Sequence, residues 1–248
     1  MLNSRNNPTL GVMLKSNPVF CALDTADIDR AASLALALSG AVGGLKVGKE
    51  FFTAHGPAGV RKIVPDGTPF FLDLKFHDIP NTVAGAVRAA CALAPTMLNV
   101  HAAGGHAMMV AARDAAAESA ARPWVLAVTV LTSLDDNDLT DIGVAGTPRE
   151  QVLRLATLAQ KAGLDGVVCS AQEISALRGE CGPDFKLVVP GIRPAGSATG
   201  DQKRTMTPIE AVQRGADVLV IGRPITGAPD PAAAAQAIAG ELADVTTG

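Results

Sequence analysis

Charged residues gather at one point of the chain, in the stretch from residue 70 to residue 82. Asp73 and Lys75 are separated there by a single residue, and Asp78 follows shortly after. Residues 70–72 before them are apolar, which is typical of a buried strand. Because alternate residues of a strand point to the same face, Asp73 and Lys75 are predicted to lie side by side. An uncompensated buried charge is very costly, so this pair indicates either an ion pair or a catalytic group.

The chemistry open to such a pair depends on the charge of the lysine. Flanking carboxylates favour its ammonium form, which suits Lys75 to donating a proton rather than to acting as a base or forming a Schiff base. A purely structural ion pair with Asp73 is the alternative. Pro80 suits the first turn of a helix, so Asp78 either joins the charge cluster or caps that helix.

Polar residues also follow other predicted strands of the chain. These residues are Asp24, Lys46, His101, Thr132, Ser170 and Arg223. If the strands converge at one end of a barrel, the side chains line a common site. Each has a simpler interpretation when taken alone: Asp24 could cap the next helix, and Lys46 could be a solvated loop lysine. His101 is interpreted as a strand-end histidine with satisfied hydrogen bonds rather than as a base.

The residues after the last predicted strand favour a phosphate site. Gly222 can expose backbone N–H groups, and the guanidinium of Arg223 beside it is suited to a phosphate. Barrels often place phosphate between their seventh and eighth loops. The seventh loop, from Gly191 to Met206, is long and polar, and Gln202 within it could supply a second donor if the loop folds over a ligand. The alternative is a tight turn with a surface arginine.

The elements that must position these residues alternate between apolar strands and Ala-rich or amphipathic helices. Continuous apolar strands indicate burial on both faces, as in a parallel sheet covered by helices. Eight strand-helix units predict an α/β fold, a single (β/α)₈ TIM barrel. A doubly wound open sheet is the alternative, but the first turn lacks its glycine-rich fingerprint. The predicted strands lie at 19–24, 41–47, from 70 onward, 97–101, 124–131, 166–170, 185–189 and 217–221.

Length and composition fit this prediction. The chain has 248 residues, of which 48% are apolar, so we expect a single domain over residues 1–248, with residues 1–17 as a loose N-terminal extension. The net charge is -3 and the basic residues are scattered, which argues against a nucleic-acid or membrane surface.

The cysteines and the N-terminus bear on location and on metal binding. Cys21, Cys91, Cys169 and Cys181 lie far apart, as expected for reduced, buried thiols of a cytoplasmic protein. The N-terminus lacks the apolar core of a signal peptide, and no apolar stretch is long enough to span a bilayer. No metal-ligand motif is present, so we expect no metal.

The central stretch resembles the active-site signature of the bacterial orotidine 5'-monophosphate decarboxylase family. The signature is Asp73-Leu74-Lys75-Phe76-His77-Asp78-Ile79-Pro80-Asn81-Thr82. Shorter motifs resemble the family in the same order, and the resemblance extends over about residues 18–235. They are Ala22-Leu23-Asp24, Leu45-Lys46-Val47-Gly48, Val130-Leu131-Thr132-Ser133, Pro190-Gly191-Ile192-Arg193-Pro194, Gly200-Asp201-Gln202 and Ile221-Gly222-Arg223.

The resemblance implies a decarboxylation of orotidine 5'-monophosphate (OMP) to uridine 5'-monophosphate (UMP) without a cofactor. Lys75 would donate a proton to C6, and Asp73 would lie beside the substrate carboxylate. Lys46 and Asp78 would complete the charge network. Asp78 and Thr82 would reach into the site of the partner subunit of a homodimer.

The resemblance also implies the residues that bind the substrate. Asp24 would bind the ribose hydroxyls, and Thr132 would contact the pyrimidine region. The phosphate would be bound by residues of the last two loops, namely Gln202, Gly222 and Arg223, with Arg193 in the same loop as Gln202.

Two other functions remain as alternatives. Relatives with the same D-x-K-x-x-D core include Mg²⁺-dependent sugar-phosphate decarboxylases and aldolases, which place a glutamate at the end of the second strand, where this chain has Lys46. A catalytically silent barrel that binds a nucleotide is the other, and the presence of Asp73, Lys75 and Asp78 argues against it.

Overall fold

The computed structural model describes residues 17–194 and 206–246, with side chains up to residue 243. Most of the expected N-terminal extension and Gln202 lie outside these ranges. Asn17, at the start of the described chain, accepts a hydrogen bond from the Val19 backbone N–H and donates one to the Ala41 carbonyl.

Eight parallel strands form a closed barrel, which confirms the predicted fold class. Each strand pairs with the next one along the chain, and the eighth pairs with the first. The strands are β1 (Val19–Ala22), β2 (Gly44–Gly48), β3 (Phe70–Phe76), β4 (Met97–His101), β5 (Trp124–Val128), β6 (Gly166–Val168), β7 (Lys186–Pro190) and β8 (Val218–Ile221).

Helices follow the strands and cover the outside of the barrel. They are α1 (Ile28–Ala37), α2 (Lys49–Ile63), α3 (Pro80–Cys91), α4 (Gly105–Ala117), α5 (Asp136–Asp141), α6 (Pro148–Lys161), α7 (Ile174–Cys181), α8 (Pro208–Gln213), α9 (Arg223–Thr226) and α10 (Pro231–Thr246). Short 3₁₀ turns at Ala102–Gly104 and Ala171–Glu173 precede α4 and α7. Across the described ranges, no helix combines the length and apolarity that a membrane crossing requires.

Two apolar layers hold the barrel together. One consists of strand residues alone and fills the barrel interior, with Phe20, Phe71, Met97 and Leu126 among its members. The other lies between the strands and the helices. Alternation along each strand separates the layers, because successive side chains point to opposite faces. Burial on both faces therefore explains the continuous apolar strands that the sequence contains.

The interior layer becomes polar at the carboxyl ends of β2, β3 and β4. Lys46 lies beside Phe71 in the β2–β3 register, and Asp73 and Asn99 follow the interior residues Phe71 and Met97 by two positions. The period of a strand therefore places these three side chains on the interior face, directly above the apolar layer. This is the end of the barrel at which function was expected.

Strand β5 is shorter than the sequence predicted. It ends at Val128 rather than at Leu131. Beyond it, both the backbone N–H and the hydroxyl of Thr129 donate to the Val168 carbonyl, at 3.3 and 3.1 Å, and the chain then leaves the barrel. Leu131 is 40% exposed, so this apolar residue belongs neither to the strand nor to the core.

Candidate active site

Four charged side chains form an alternating chain at the mouth of the barrel. Lys46 Nζ lies 2.8 Å from Asp24 Oδ1 and 3.4 Å from Asp73 Oδ2. Lys75 Nζ lies 2.6 Å from the other oxygen of that carboxylate, Asp73 Oδ1. The order of charges is therefore Asp24, Lys46, Asp73, Lys75. The sequence predicted that these residues meet, and their side chains are in direct contact.

The pairing of neighbouring strands brings these residues together. In the register of β2 and β3, Gly48 lies beside Asp73. A Cβ atom at Gly48 would lie 3.1 Å from both Asp24 Oδ1 and Lys46 Nζ, which is closer than ordinary contact. Because Gly48 has no side chain, the Asp24–Lys46 ion pair can occupy this space.

The buried members of the chain remain charged. Burial opposes the ammonium of Lys46, but Asp73 and Asp24 outweigh it and raise the pKa of Lys46 above its ordinary value. Burial likewise opposes the carboxylate of Asp73, but Lys46 and Lys75 together outweigh it and lower the pKa of Asp73. Opposite neighbours thus compensate the cost of burying each charge. At neutral pH the site holds an ammonium and a carboxylate in fixed positions.

A β-bulge shapes the end of β3. Pairing with β4 is interrupted between Leu72 and Phe76, and within this gap Lys75 has a left-handed backbone with φ of 53°. The Lys75 backbone N–H donates to Asn99 Oδ1 at 2.8 Å, and Asn99 Nδ2 donates to Asp73 Oδ1 at 2.7 Å. Non-glycine residues seldom adopt this backbone conformation, and such exceptions cluster at functional sites.

Asn99 was not among the residues singled out from the sequence. The signal was present, because an amide stands in the middle of the otherwise apolar strand Met97–His101. Its side chain is fully buried. A buried amide needs hydrogen-bond partners, so its position indicated a polar neighbour on an adjacent strand. Identifying that neighbour required the register between β3 and β4.

A cavity of about 530 Å³ opens above this charge chain. Asp24, Lys46, Asp73 and Lys75 line one side, and Arg193, Gly222 and Arg223 line another. The cavity thus joins a charge cluster on β2 and β3 to cationic groups after β7 and β8.

The two arginines form a corner suited to an anion. Burial and the charge of neighbouring Arg223 both lower the pKa of Arg193, although it stays far above neutral pH. Among the described residues, Arg193 Nε is buried without a hydrogen-bond partner. Two adjacent guanidinium groups repel each other, and an anion between them would relieve that repulsion.

Three candidate residues lie apart from this cavity. Asp78, Thr82 and Thr132 are exposed and do not line it. Asp78 Oδ1 accepts a hydrogen bond from the backbone N–H of Ile79 at 2.6 Å, immediately before α3. Gln202 lies outside the described residues. The fold of one chain therefore brings together most of the predicted site but leaves these three residues on its surface.

The helix cap considered for Asp24 belongs to another residue. Asp27 caps α1, because its side chain accepts hydrogen bonds from the backbone N–H groups of Asp29 and Arg30. The carboxylate of Asp24 is thereby left to pair with Lys46.

His101 has the contacts expected of a strand-end histidine. Its Nδ1 accepts a hydrogen bond from the backbone N–H of Ala103 at 3.3 Å. Its ring stacks on that of His77, with 5.3 Å between the ring centroids. Burial, His77 and the nearby ammonium groups lower its pKa, so the ring is neutral at neutral pH.

Comparison with known proteins shows the family to which this chain belongs. Residues 17–238 match the sequence model of the family described as orotidine 5'-phosphate decarboxylase / HUMPS. The chain belongs to this family. The matched range contains all of the candidate residues, from Asp24 to Arg223.

Several proteins show how close the relationship to the orotidine 5'-phosphate decarboxylase / HUMPS family is. The chain is 60% identical to an orotidine 5'-phosphate decarboxylase of Rhodospirillum rubrum over 235 residues, which cover 92% of this chain and 95% of that protein. It is 55% identical to the protein of the same name from Paramagnetospirillum magneticum, covering 91% and 98%. The crystal structure of orotidine 5'-phosphate decarboxylase from Lactobacillus acidophilus superimposes with a TM-score of 0.82 at 40% identity, covering 91% and 99%.

Proposed function

We propose that this protein decarboxylates OMP to UMP, the last step of de novo pyrimidine nucleotide synthesis. The observation that carries the proposal is the chain Asp24–Lys46–Asp73–Lys75 at one side of a cavity whose other side holds Arg193 and Arg223. A ligand that spans this cavity needs a reacting group near Lys75 and an anionic group near the arginines. OMP has both, a carboxylate on the pyrimidine and a phosphate on the ribose.

In the proposed reaction, the bond between C6 and the carboxylate breaks and its electron pair stays on C6. A carbanion develops at this carbon, and the Lys75 ammonium stabilises it before transferring a proton to form the C6–H bond. Asp73 holds that ammonium in place through a direct ion pair, and Lys46 pairs with the other oxygen of the same carboxylate. Groups that are fixed before the reaction stabilise developing charge without reorganising, which is usually a large catalytic contribution. The proposed chemistry needs no cofactor.

Asp73 would act on the ground state as well. Its carboxylate is held charged by Lys46 and Lys75, so it would repel the substrate carboxylate beside it. The repulsion falls when CO₂ departs. Only interactions that differ between the ground state and the transition state change the rate, and stabilisation of the carbanion is the one that we emphasise.

The remaining assignments concern binding of the nucleotide. We assign the ribose hydroxyls to Asp24, the pyrimidine region to Thr132, and the phosphate to four residues: Arg193, Gln202, Gly222 and Arg223. The unpartnered Nε of Arg193 and the nearby charge of Arg223 support the phosphate assignment. Binding energy from the phosphate would close the loop from Gly191 to Met206 and exclude water from the reacting carbon.

We further infer that the protein is a cytoplasmic homodimer. Each subunit would form one domain over residues 1–248. Asp78 and Thr82 are exposed beside Ile79, a large apolar side chain that is 67% exposed. These residues would complete the site of the partner subunit, with Asp78 extending the charge network there. Four buried, free cysteines suit a reducing compartment.

One assay tests the proposal against its alternatives. The protein is mixed with OMP and EDTA, and the pyrimidine absorbance is followed. We expect turnover that EDTA does not reduce. Lys46 underlies this expectation, because its ammonium already pairs with the carboxylates of Asp24 and Asp73 that a divalent cation would need. Turnover that EDTA abolishes would favour a Mg²⁺-dependent enzyme, and UMP binding without turnover would favour a silent nucleotide-binding barrel.

A further inference from the structure

We propose that Asn99 is a positioning residue that fixes the Asp73 carboxylate and the Lys75 backbone relative to each other. The inference rests on the proposed decarboxylase function, since it concerns the group that would donate the proton. Asn99 does not line the cavity, so it would act only through these two neighbours.

The amide of Asn99 matches two different partners at once. Its Nδ2 donates to Asp73 Oδ1 at 2.7 Å, and its Oδ1 accepts from the Lys75 backbone N–H at 2.8 Å. The orientation of the amide follows from chemistry, because the reverse would set its oxygen against a carboxylate and its NH₂ group against an N–H. A side chain with one donor and one acceptor is therefore required at this position.

Asn99 lies opposite the bulge, where its side chain can bond to the backbone of Lys75. Pairing of β3 with β4 passes from Leu72 beside Leu98 to Phe76 beside Val100. The chain therefore advances four residues along β3 while it advances two along β4. Asn99 lies in that gap on β4, and its side chain accepts the Lys75 N–H.

The left-handed backbone of Lys75 is costly and needs support. A lysine with φ of 53° persists only when its surroundings hold it there. The hydrogen bond that the Lys75 backbone N–H donates to Asn99 Oδ1 is one such constraint, and the ion pair of Lys75 with Asp73 is another. Asp73 Oδ1 links the two, because it accepts from Lys75 Nζ at 2.6 Å and from Asn99 Nδ2 at 2.7 Å. Loss of Asn99 would therefore release two parts of the catalytic pair together.

A positioning role and a purely structural role predict different outcomes for Asn99→Leu, which keeps the approximate volume but removes both hydrogen bonds. If Asn99 positions the pair, kcat for OMP falls about 100-fold, because a small misplacement of reacting groups has an effect of that size. KM and the affinity for UMP should stay within about 3-fold of native. If Asn99 only stabilises the fold, the melting temperature falls while kcat of the folded protein does not.

A matched control lies at the other end of the same strand pair. Thr96 Oγ1 accepts a hydrogen bond from the Phe70 backbone N–H at 3.0 Å, so Thr96→Val also removes a side-chain partner of a β3 N–H. We expect Thr96→Val to lower the melting temperature and to leave kcat unchanged. An equal loss of kcat in both variants would refute the positioning role.

The conservative variant Asn99→Asp adds a pH-dependent readout. A protonated Asp at this position can donate to Asp73 and accept from the Lys75 N–H, whereas an ionised one can only accept. We expect kcat of this variant to decline as pH rises, relative to the native profile. A profile parallel to that of the native protein would overturn the inference.

Crystal structures of the native protein and of Asn99→Leu separate this inference from the proposed function. We expect Asp73 Oδ1 and Lys75 Nζ to move apart in the variant, and the backbone of Lys75 to leave its left-handed conformation. Absence of OMP turnover by the native protein would refute the proposed function alone. An unchanged Asp73–Lys75 geometry in the variant would refute the positioning role, whatever the native protein catalyses.

Discussion

Lys75 Nζ lies 2.6 Å from Asp73 Oδ1, and both residues lie within the stretch between Leu72 and Phe76 where the pairing of β3 with β4 is interrupted. A regular strand would have sufficed to place both side chains on one face. The bulge adds a constrained backbone at Lys75, and Asn99 links that backbone to the carboxylate. The geometry of the pair is therefore held by main chain as well as by charge.

Lys75→Ala should remove nearly all decarboxylation. The variant loses both the ammonium that stabilises the carbanion and the proton that follows, so we expect kcat to fall about 10³-fold or more. The fold should persist, because alanine retains a Cβ and has no greater difficulty with the local backbone. Turnover of OMP, circular dichroism and UMP affinity check this. Lys62→Ala, which removes an exposed lysine of α2, is the control; near-native turnover by Lys75→Ala would contradict the mechanism.

Gly48→Ala should impair the site without contacting the substrate's reacting carbon. The new methyl group would lie 3.1 Å from Asp24 Oδ1 and Lys46 Nζ and would displace that ion pair. We expect kcat/KM to fall about 10-fold or more, because small displacements of fixed groups are costly to catalysis.

Gly85→Ala is the matched control for that change. A Cβ at Gly85, inside α3, would meet no atom within 4 Å. Replacing a glycine inside a helix should stabilise the fold by roughly 0.5–1 kcal/mol and leave kcat/KM unchanged. Melting curves and steady-state kinetics measure both variants; equal kinetics for the two would show that Gly48 has no role in the site.

Arg223→Ala should weaken binding of UMP while leaving binding of uridine nearly unchanged. A charge-assisted hydrogen bond contributes about 1.5–3 kcal/mol, so we expect a loss of roughly 10- to 100-fold in UMP affinity. Arg223→Lys keeps the charge but loses the planar fork and should recover part of the affinity. Calorimetric titration with both ligands measures the difference. An equal loss of affinity for UMP and for uridine would show that Arg223 does not bind the phosphate.

Asp73 should make the stability of the protein depend on pH in the acid range. Its pKa in the folded protein is below the ordinary value of 3.8, so its stabilisation is present above that value. The stabilisation is lost as pH falls through the folded pKa, because the unfolded chain binds the proton more readily. Asp73→Asn should show a free energy of unfolding that falls less steeply in this window, by up to about 1.4 kcal/mol per pH unit.

Urea denaturation from neutral pH downward tests the acid dependence. At the other end of the scale, Lys46 has a pKa above 10.5, so its stabilisation is present below that value and is lost as pH rises through the folded pKa. If the free energy of unfolding fell equally steeply with pH for the native protein and for Asp73→Asn, the pKa of Asp73 would not be lowered by its neighbours.

Mixed subunits test the proposed sharing of sites in a homodimer. Lys75→Ala and Asp78→Asn should each be nearly inactive. When the two are exchanged in equal amounts, the mixed dimer regains one intact site, so we expect roughly a quarter of native activity per chain. Mixing Lys75→Ala with Asp73→Asn is the control, since both changes affect the same subunit's contribution and no intact site can form. If no activity returns in the first mixture, Asp78 does not serve a partner.

The sequence by itself determined the barrel and most of the charge cluster. Apolar strands of regular spacing predicted eight βα units, and the convergence of their carboxyl ends predicted that Asp24, Lys46 and Asp73 would meet. Local spacing also predicted the contact of Asp73 with Lys75. These predictions succeeded because strand periodicity and the direction of a parallel sheet are local or general properties.

Tertiary structure alone decided the features that depend on register between strands. The gap between β3 and β4 sets Asn99 against both Asp73 and Lys75, and the alignment of β1 with β2 brings Asp24 to Lys46 beside Gly48. The end of β5 at Val128 and the bonds of Thr129 to Val168 beyond it also join residues of different strands. Such pairings join residues far apart in the chain, and apolar periodicity specifies which face a side chain takes but not which neighbour it meets.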